Sequence, residues 1–151
     1  MHYLCKSVAM SFKDAVAETK RALKRHHLVI LAEIDLCNAI RTDLAVDFRP
    51  YLILSAYSPQ LARQAVEADD KIGSILLCNL VVQQNMNGRV EISAVDPAAT
   101  IGTINHVRLI SVARELRSLV QRAIDGVESV AESSRLLRDR NAGRQLVHAR
   151  P

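Results

Sequence analysis

Hydrophobic positions along this chain alternate between two periods, and the switches between them mark out the elements. Residues 3–10 place Tyr3, Cys5, Ser7 and Ala9 on one parity and Leu4, Val8 and Met10 on the other, a short strand pattern interrupted by Lys6. Helical spacing begins at once after it. Ser11 is a good N-cap with Asp14 three residues on, and Phe12, Ala15, Val16, Thr19, Ala22, Leu23 and His26 form the apolar stripe. Lys20, Arg21, Lys24 and Arg25 populate the later turns, where cations suit the negative end of the helix dipole. Leu28 to Leu36 is a continuous run rich in β-branched and apolar residues, which predicts a central strand. Glu33 and Asp35 share parity at its end, an arrangement suited to acid/base work or a metal, or simply to a strand emerging into solvent.

Residues 37–47 read as a connection with a helical turn. The stretch Phe48 to Pro59 organises the middle of the chain: a strand entered through Pro50 and left through Pro59, with Ser58 as N-cap of a helix striped by Leu61, Ala62, Ala65, Val66 and Ala68. A break at Asp69–Gly73 leads to a second strongly apolar strand over 74–84. Asn87-Gly88 supplies the positive φ angles of a hairpin turn, so the strand over 89–95 must run antiparallel to it. Asp96-Pro97 ends the sheet, and a long helix opened by Thr103 or Asn105 runs to 127 on Leu109, Val112, Leu116, Leu119 and Ala123. The expected fold class is therefore α+β: a single, mostly antiparallel sheet of about five strands with helices packed on it. The predicted order is strand, helix, strand, strand, helix, strand, strand, helix.

Length and composition sharpen this picture. At 151 residues and 49% hydrophobic the chain supports one domain, expected over 1–127, followed by a basic, partly disordered tail over 128–151. The net charge of +4 belongs to that tail: up to residue 134 acids and bases balance, and Arg135, Arg138, Arg140, Arg144 and Arg150 then face only Asp139. Aromatics are 3% and tryptophan is absent, which leaves little to build a base-stacking platform. Nucleic acid is not the expected partner. Cys5, Cys37 and Cys78 are odd in number and lack Cys-x-x-Cys spacing, which speaks for a reducing compartment; with no long apolar run, a cytoplasmic protein without a membrane segment is expected.

Polar residues at the ends of apolar strands mark the candidate site. Asp35, Arg49, Tyr57, Ser58, Cys78, Asn79 and Asp96 are its expected members, with Asp35, Ser58, Asn79 and Asp96 on a shared rim under the helices. Asn79 stands inside an apolar strand, so it is either a structural clamp or a ligand contact. Neither a metal-ligand spacing nor a glycine-rich phosphate loop occurs, and the sequence leaves the cofactor unknown.

Five segments in order and spacing resemble the domain of unknown function 302 family: Glu33-Ile-Asp35, Phe48-Arg-Pro-Tyr-x-Ile-Leu54, Ala56-x-x-Pro59, Leu77-Cys-Asn-x-Val-Val82 and Val95-Asp-Pro97. The likeness spans about residues 5–97. It implies a small α+β fold and a tendency to homodimerise, and it implies no activity. Where members of that family commonly have Cys-Asn before the proline this chain has Tyr57-Ser58, and where they have Pro-Cys-Asn it has Leu77-Cys78-Asn79. The expectation is a homodimeric binding or regulatory domain with a small-molecule site at the strand ends. A cysteine-dependent or metal-assisted enzyme and a purely structural interaction module are the alternatives.

Overall fold

The computed structural model describes residues 2–101, 103–128 and 137–140. Most of the basic tail lies outside them. The elements run β1 (Tyr3–Val8), α1 (Phe12–Arg25), β2 (Val29–Asp35), α2 (Leu36–Leu44), β3 (Tyr51–Tyr57), α3 (Pro59–Ala68), a 3-10 turn at Ile72–Ile75, β4 (Cys78–Gln84), β5 (Val90–Val95), α4 (Pro97–Ile101) and α5 (Val107–Asp125). One open antiparallel sheet of five strands results, in the order β1-β5-β4-β3-β2. The expected α+β class holds.

Local chemistry accounts for the helix boundaries. Ser11 Oγ accepts the Asp14 amide at the start of α1, and Ser58 Oγ accepts the Leu61 amide with Pro59 in the first turn of α3. The end of α1 is a Schellman turn: the Leu28 amide reaches Leu23 O at 3.0 Å and the His27 amide reaches Lys24 O at 3.1 Å. His27 takes the left-handed conformation there, at φ 58°. The carbonyl end of α5 is met by two cations from other elements, Lys6 Nζ on Asp125 O at 2.7 Å and Arg25 on Gly126 O at 3.2 Å.

All the long helices lie on one face of the sheet. Leu54 and Ala56 of β3, Leu80 and Val82 of β4, Val90, Ile92 and Ala94 of β5 and Leu4 and Val8 of β1 point into the core. They meet Ala22 and Leu23 of α1 and Leu109, Leu116, Val120 and Ile124 of α5. Helix α5 packs against both α1 and α3, so it closes the helical layer. The opposite face carries no helix of this group and presents Ile34, Ile53 and Val81 in one row across β2, β3 and β4.

Two sequence expectations are corrected, and one element is added. The run from Leu28 to Leu36 forms an edge strand, not a central one: β2 pairs only with β3, and Val29, Leu31 and Ile34 are 43%, 58% and 44% exposed. The apolar stretch over 74–84 enters the sheet only at Cys78, because Ile72–Ile75 is wound as a 3-10 turn that buries Ile72 instead. The long last helix is present as α5, Val107–Asp125, and a short helix that the sequence did not announce, α4, precedes it, beginning directly at Pro97. The first turn of α4 is built by Asp96, whose Oδ1 accepts the Ala98 amide at 2.8 Å.

Candidate functional site

Strand direction divides the predicted residues between two ends of the sheet. In the antiparallel register Asp35 stands opposite Leu52 and Tyr51 opposite Gln83, so Asp35 and Arg49 belong to the end where β3 begins. Ser58, Cys78, Asn79 and Asp96 belong to the other end, where β3 and β5 finish and β4 starts. The shared rim expected for Asp35, Ser58, Asn79 and Asp96 therefore loses Asp35.

Each of the seven has a local partner or position that explains it. Asp35 caps α2 by accepting the Asn38 amide at 2.9 Å. The Arg49 guanidinium lies over the rings of Phe48 and Tyr51 and donates to Gln83 Oε1 at 3.0 and 3.2 Å. Tyr57 sits half-buried opposite Val29 at the sheet margin. Asn79 is exposed on the sheet face opposite α1, α3 and α5, where the Ser55 hydroxyl donates to its Oδ1 at 2.5 Å. It does not look into the helical layer.

Cys78 is buried, and that burial pushes its thiol up to about 12. A nucleophilic role needs the thiolate, which this environment suppresses at neutral pH. Asp96 is the opposite case. Burial alone raises a carboxyl, but the Arg117 Nε bond at 2.7 Å, the Ala98 amide and the nearby charges of Arg117 and His2 outweigh it, and Asp96 is held below its ordinary value. The pair ties the end of β5 to the middle of α5. Among the described residues, no three His, Cys, Asp or Glu side chains are grouped to hold a metal ion.

Two hollows open at the end that holds Ser58, Cys78 and Asp96. The smaller, of about 320 Å³, is lined by Ile75, Leu77, Cys78, Asn79, Val95, Pro97 and Thr100. The larger, of about 790 Å³, lies where the end of α1, the start of α3 and the middle of α5 meet. Leu28, Val29, Pro59 and Leu119 give it an apolar lining, and Lys24, His27, Ser58, Gln60 and Glu115 give it polar groups. Such a mixture and size suit a small organic ligand. Among the described residues, the side chains of Lys24, His27, Gln60 and Glu115 have no hydrogen-bond or ion-pair partner, so the fold leaves all four available. Of these residues only Ser58 stood out from the sequence. His27 carried a signal: it comes just after the last turn of a helix, where glycine is the usual occupant.

The profile of the family described as Domain of unknown function DUF302 matches residues 4–127. The chain belongs to the DUF302 family. A crystal structure of an uncharacterised conserved DUF302 protein from Bacillus stearothermophilus superposes with a TM-score of 0.77 at 22% identity, covering 85% of this chain and 99% of that one. At that identity the likeness speaks for the DUF302 fold alone. No functionally curated protein matches the chain. No helix among the described residues is long and apolar enough to cross a membrane.

Proposed function

We propose that this DUF302 domain is a homodimeric small-molecule binding protein whose ligand occupies the hollow between α1, α3 and α5. The observation that carries this reading is the set of four polar side chains, Lys24, His27, Gln60 and Glu115, that line a space of about 790 Å³ and serve no bond of the fold. His27 adds a second argument. A non-glycine residue held at φ 58° costs stability, on the order of 1 kcal/mol, and such strain gathers at ligand-contacting positions. The lining favours a ligand with an apolar body and a polar end able to meet both an ammonium and a carboxylate. A role in regulation fits the same geometry, because the hollow is built by three helices and its occupant would fix their spacing.

Thermal-shift screening of the full chain against small carboxylic acids, amino acids, nucleotides and haem tests this. A ligand present at a hundred times its dissociation constant adds about 2.7 kcal/mol, which raises the midpoint of a domain of this size by roughly 5–10 °C. The paired substitution Lys24→Met with Glu115→Gln removes the response while leaving the unliganded midpoint in place. Absence of any response across these classes, or a response that the paired variant retains, counts against the hollow as the site.

A further inference from the structure

Charge up to residue 134 balances in number but not in space. Helices α1, α3 and α5 together hold ten Lys and Arg against five Asp and Glu, a net of +5, and the rest of that stretch holds five against ten, a net of −5. These helices turn their apolar sides to the core, so their charges stand on the outer surface of the helical layer. Ion pairs absorb part of the excess. Lys20 meets Glu33, Arg21 meets Glu18, Arg63 meets Glu67 and Arg117 meets Asp96. Among the described residues, Lys13, Lys24, Arg25, Arg108, Arg114 and Arg122 of this layer stand in no ion pair.

Three of those six gather at the hollow between α1, α3 and α5. Lys24 lines it, Arg25 follows Lys24 directly, and Arg122 stands one helical turn beyond Leu119, which lines it from α5. His26 registers their joint effect: burial lowers its pKa most, and Arg122, Arg25 and His27 lower it further. Glu115 is the single carboxylate of the lining, and Lys24 offsets it there. The next acid along α5, Asp125, takes Lys6 Nζ on its carbonyl at 2.7 Å, so it too comes with a cation.

From this placement we infer that the hollow selects an organic anion, a molecule with an apolar body and one carboxylate or phosphate group held at the Lys24 end. The inference rests on the ligand hollow of the proposed function and names the chemical class of its occupant. Lys24 takes the anionic group, and Glu115 accepts from a neutral hydroxyl or amide of the same molecule rather than pairing a second charge. A concave site set in a surface of one sign concentrates ions of the other sign and speeds their arrival, an effect that salt screens. A cationic ligand would have to enter against the unpaired cations. A neutral one would gain the apolar lining alone.

Titrating the isotope-labelled full chain with phenylpropanoate, its amide and the corresponding amine, three probes of one shape and different charge, tests this by amide-correlation NMR. The carboxylate should bind about tenfold more tightly than the amide, and the amine should not bind, with shifts at the amides of Leu28, Val29, Gln60 and Leu119. Raising salt from about 20 to about 200 mM should cut the carboxylate's advantage about threefold. Arg122→Gln, which removes a cation outside the lining, should weaken the carboxylate about threefold and leave the amide unchanged. Arg41→Gln makes the same charge change on α2, which starts from the opposite end of the sheet, and should alter neither. Phenyl phosphate in place of the carboxylate identifies the headgroup within the class, as the tighter of the two. Equal binding of the amide or the amine overturns the anion assignment while the hollow stands as a site, and so does a carboxylate affinity indifferent to salt and to Arg122→Gln. Binding by none of the probes, together with no response in the thermal-shift screen, removes the site and the assignment with it.

Discussion

Ser55 and Asn79 face each other across β3 and β4, with the hydroxyl of one 2.5 Å from the amide oxygen of the other, on the side of the sheet away from α1, α3 and α5. The sequence left Asn79 between a structural clamp and a ligand contact; the bond to Ser55 gives it a cross-strand partner. Ser55→Ala and Asn79→Ala in a double-mutant cycle should therefore couple by about 0.5–1.5 kcal/mol in chemical denaturation. Additive losses would show that the two groups do not act together.

The three cysteines should react in the order of their exposure and thiolate content. Cys5 is exposed, Cys37 half-buried with its thiol donating to Phe48 O, and Cys78 buried with its thiol raised to about 12. At pH 8 a maleimide followed by peptide mass spectrometry should label Cys5 first and Cys78 only after unfolding. Prompt labelling of Cys78 in the native protein would restore a case for cysteine chemistry.

Acid should act on the Asp96–Arg117 link. The carboxyl titrates below its unfolded value, so its stabilising contribution is complete above the unfolded pKa of about 3.9 and is lost as pH falls through the lower, folded one. Asp96→Asn should lower the midpoint at pH 7 and show less further loss between pH 5 and pH 2 than the wild type. Parallel pH curves for the two proteins would assign the acid limb to other carboxylates.

His27 offers a test in which stability and binding move in opposite directions. Glycine relieves the left-handed backbone at φ 58°, and His27→Gly should gain stability of up to about 1 kcal/mol. It should also weaken any ligand that the helical hollow takes, since His27 lines that space. A variant both more stable and fully able to bind would make the strain incidental.

Much of the fold was legible because its signals are local. Ser11 and Ser58 announce the starts of α1 and α3, and Asn87-Gly88 fixes the β4–β5 hairpin, with Gly88 at φ 79°. Sheet order was not legible, because the hydrophobic run of Leu28–Leu36 reads like a central strand although it lies at the sheet edge. The start of α4 was readable in principle: Asp96-Pro97 repeats the cap-then-proline grammar of Ser58-Pro59, and a strand exit is only half of what that pair encodes. The hollow lined by Lys24, His27, Gln60 and Glu115 stayed hidden because it is assembled from three helices whose relative placement no local pattern encodes.

The pairing of β1 with β5 joins segments some 90 residues apart, with Tyr3 opposite Val95. The opening strand has its only sheet partner in the hairpin arm that ends at Val95, so it can pair only once that arm has been made. Closure of so large a loop comes late and slows acquisition of the native state. A chain that stops short of that arm cannot complete the sheet.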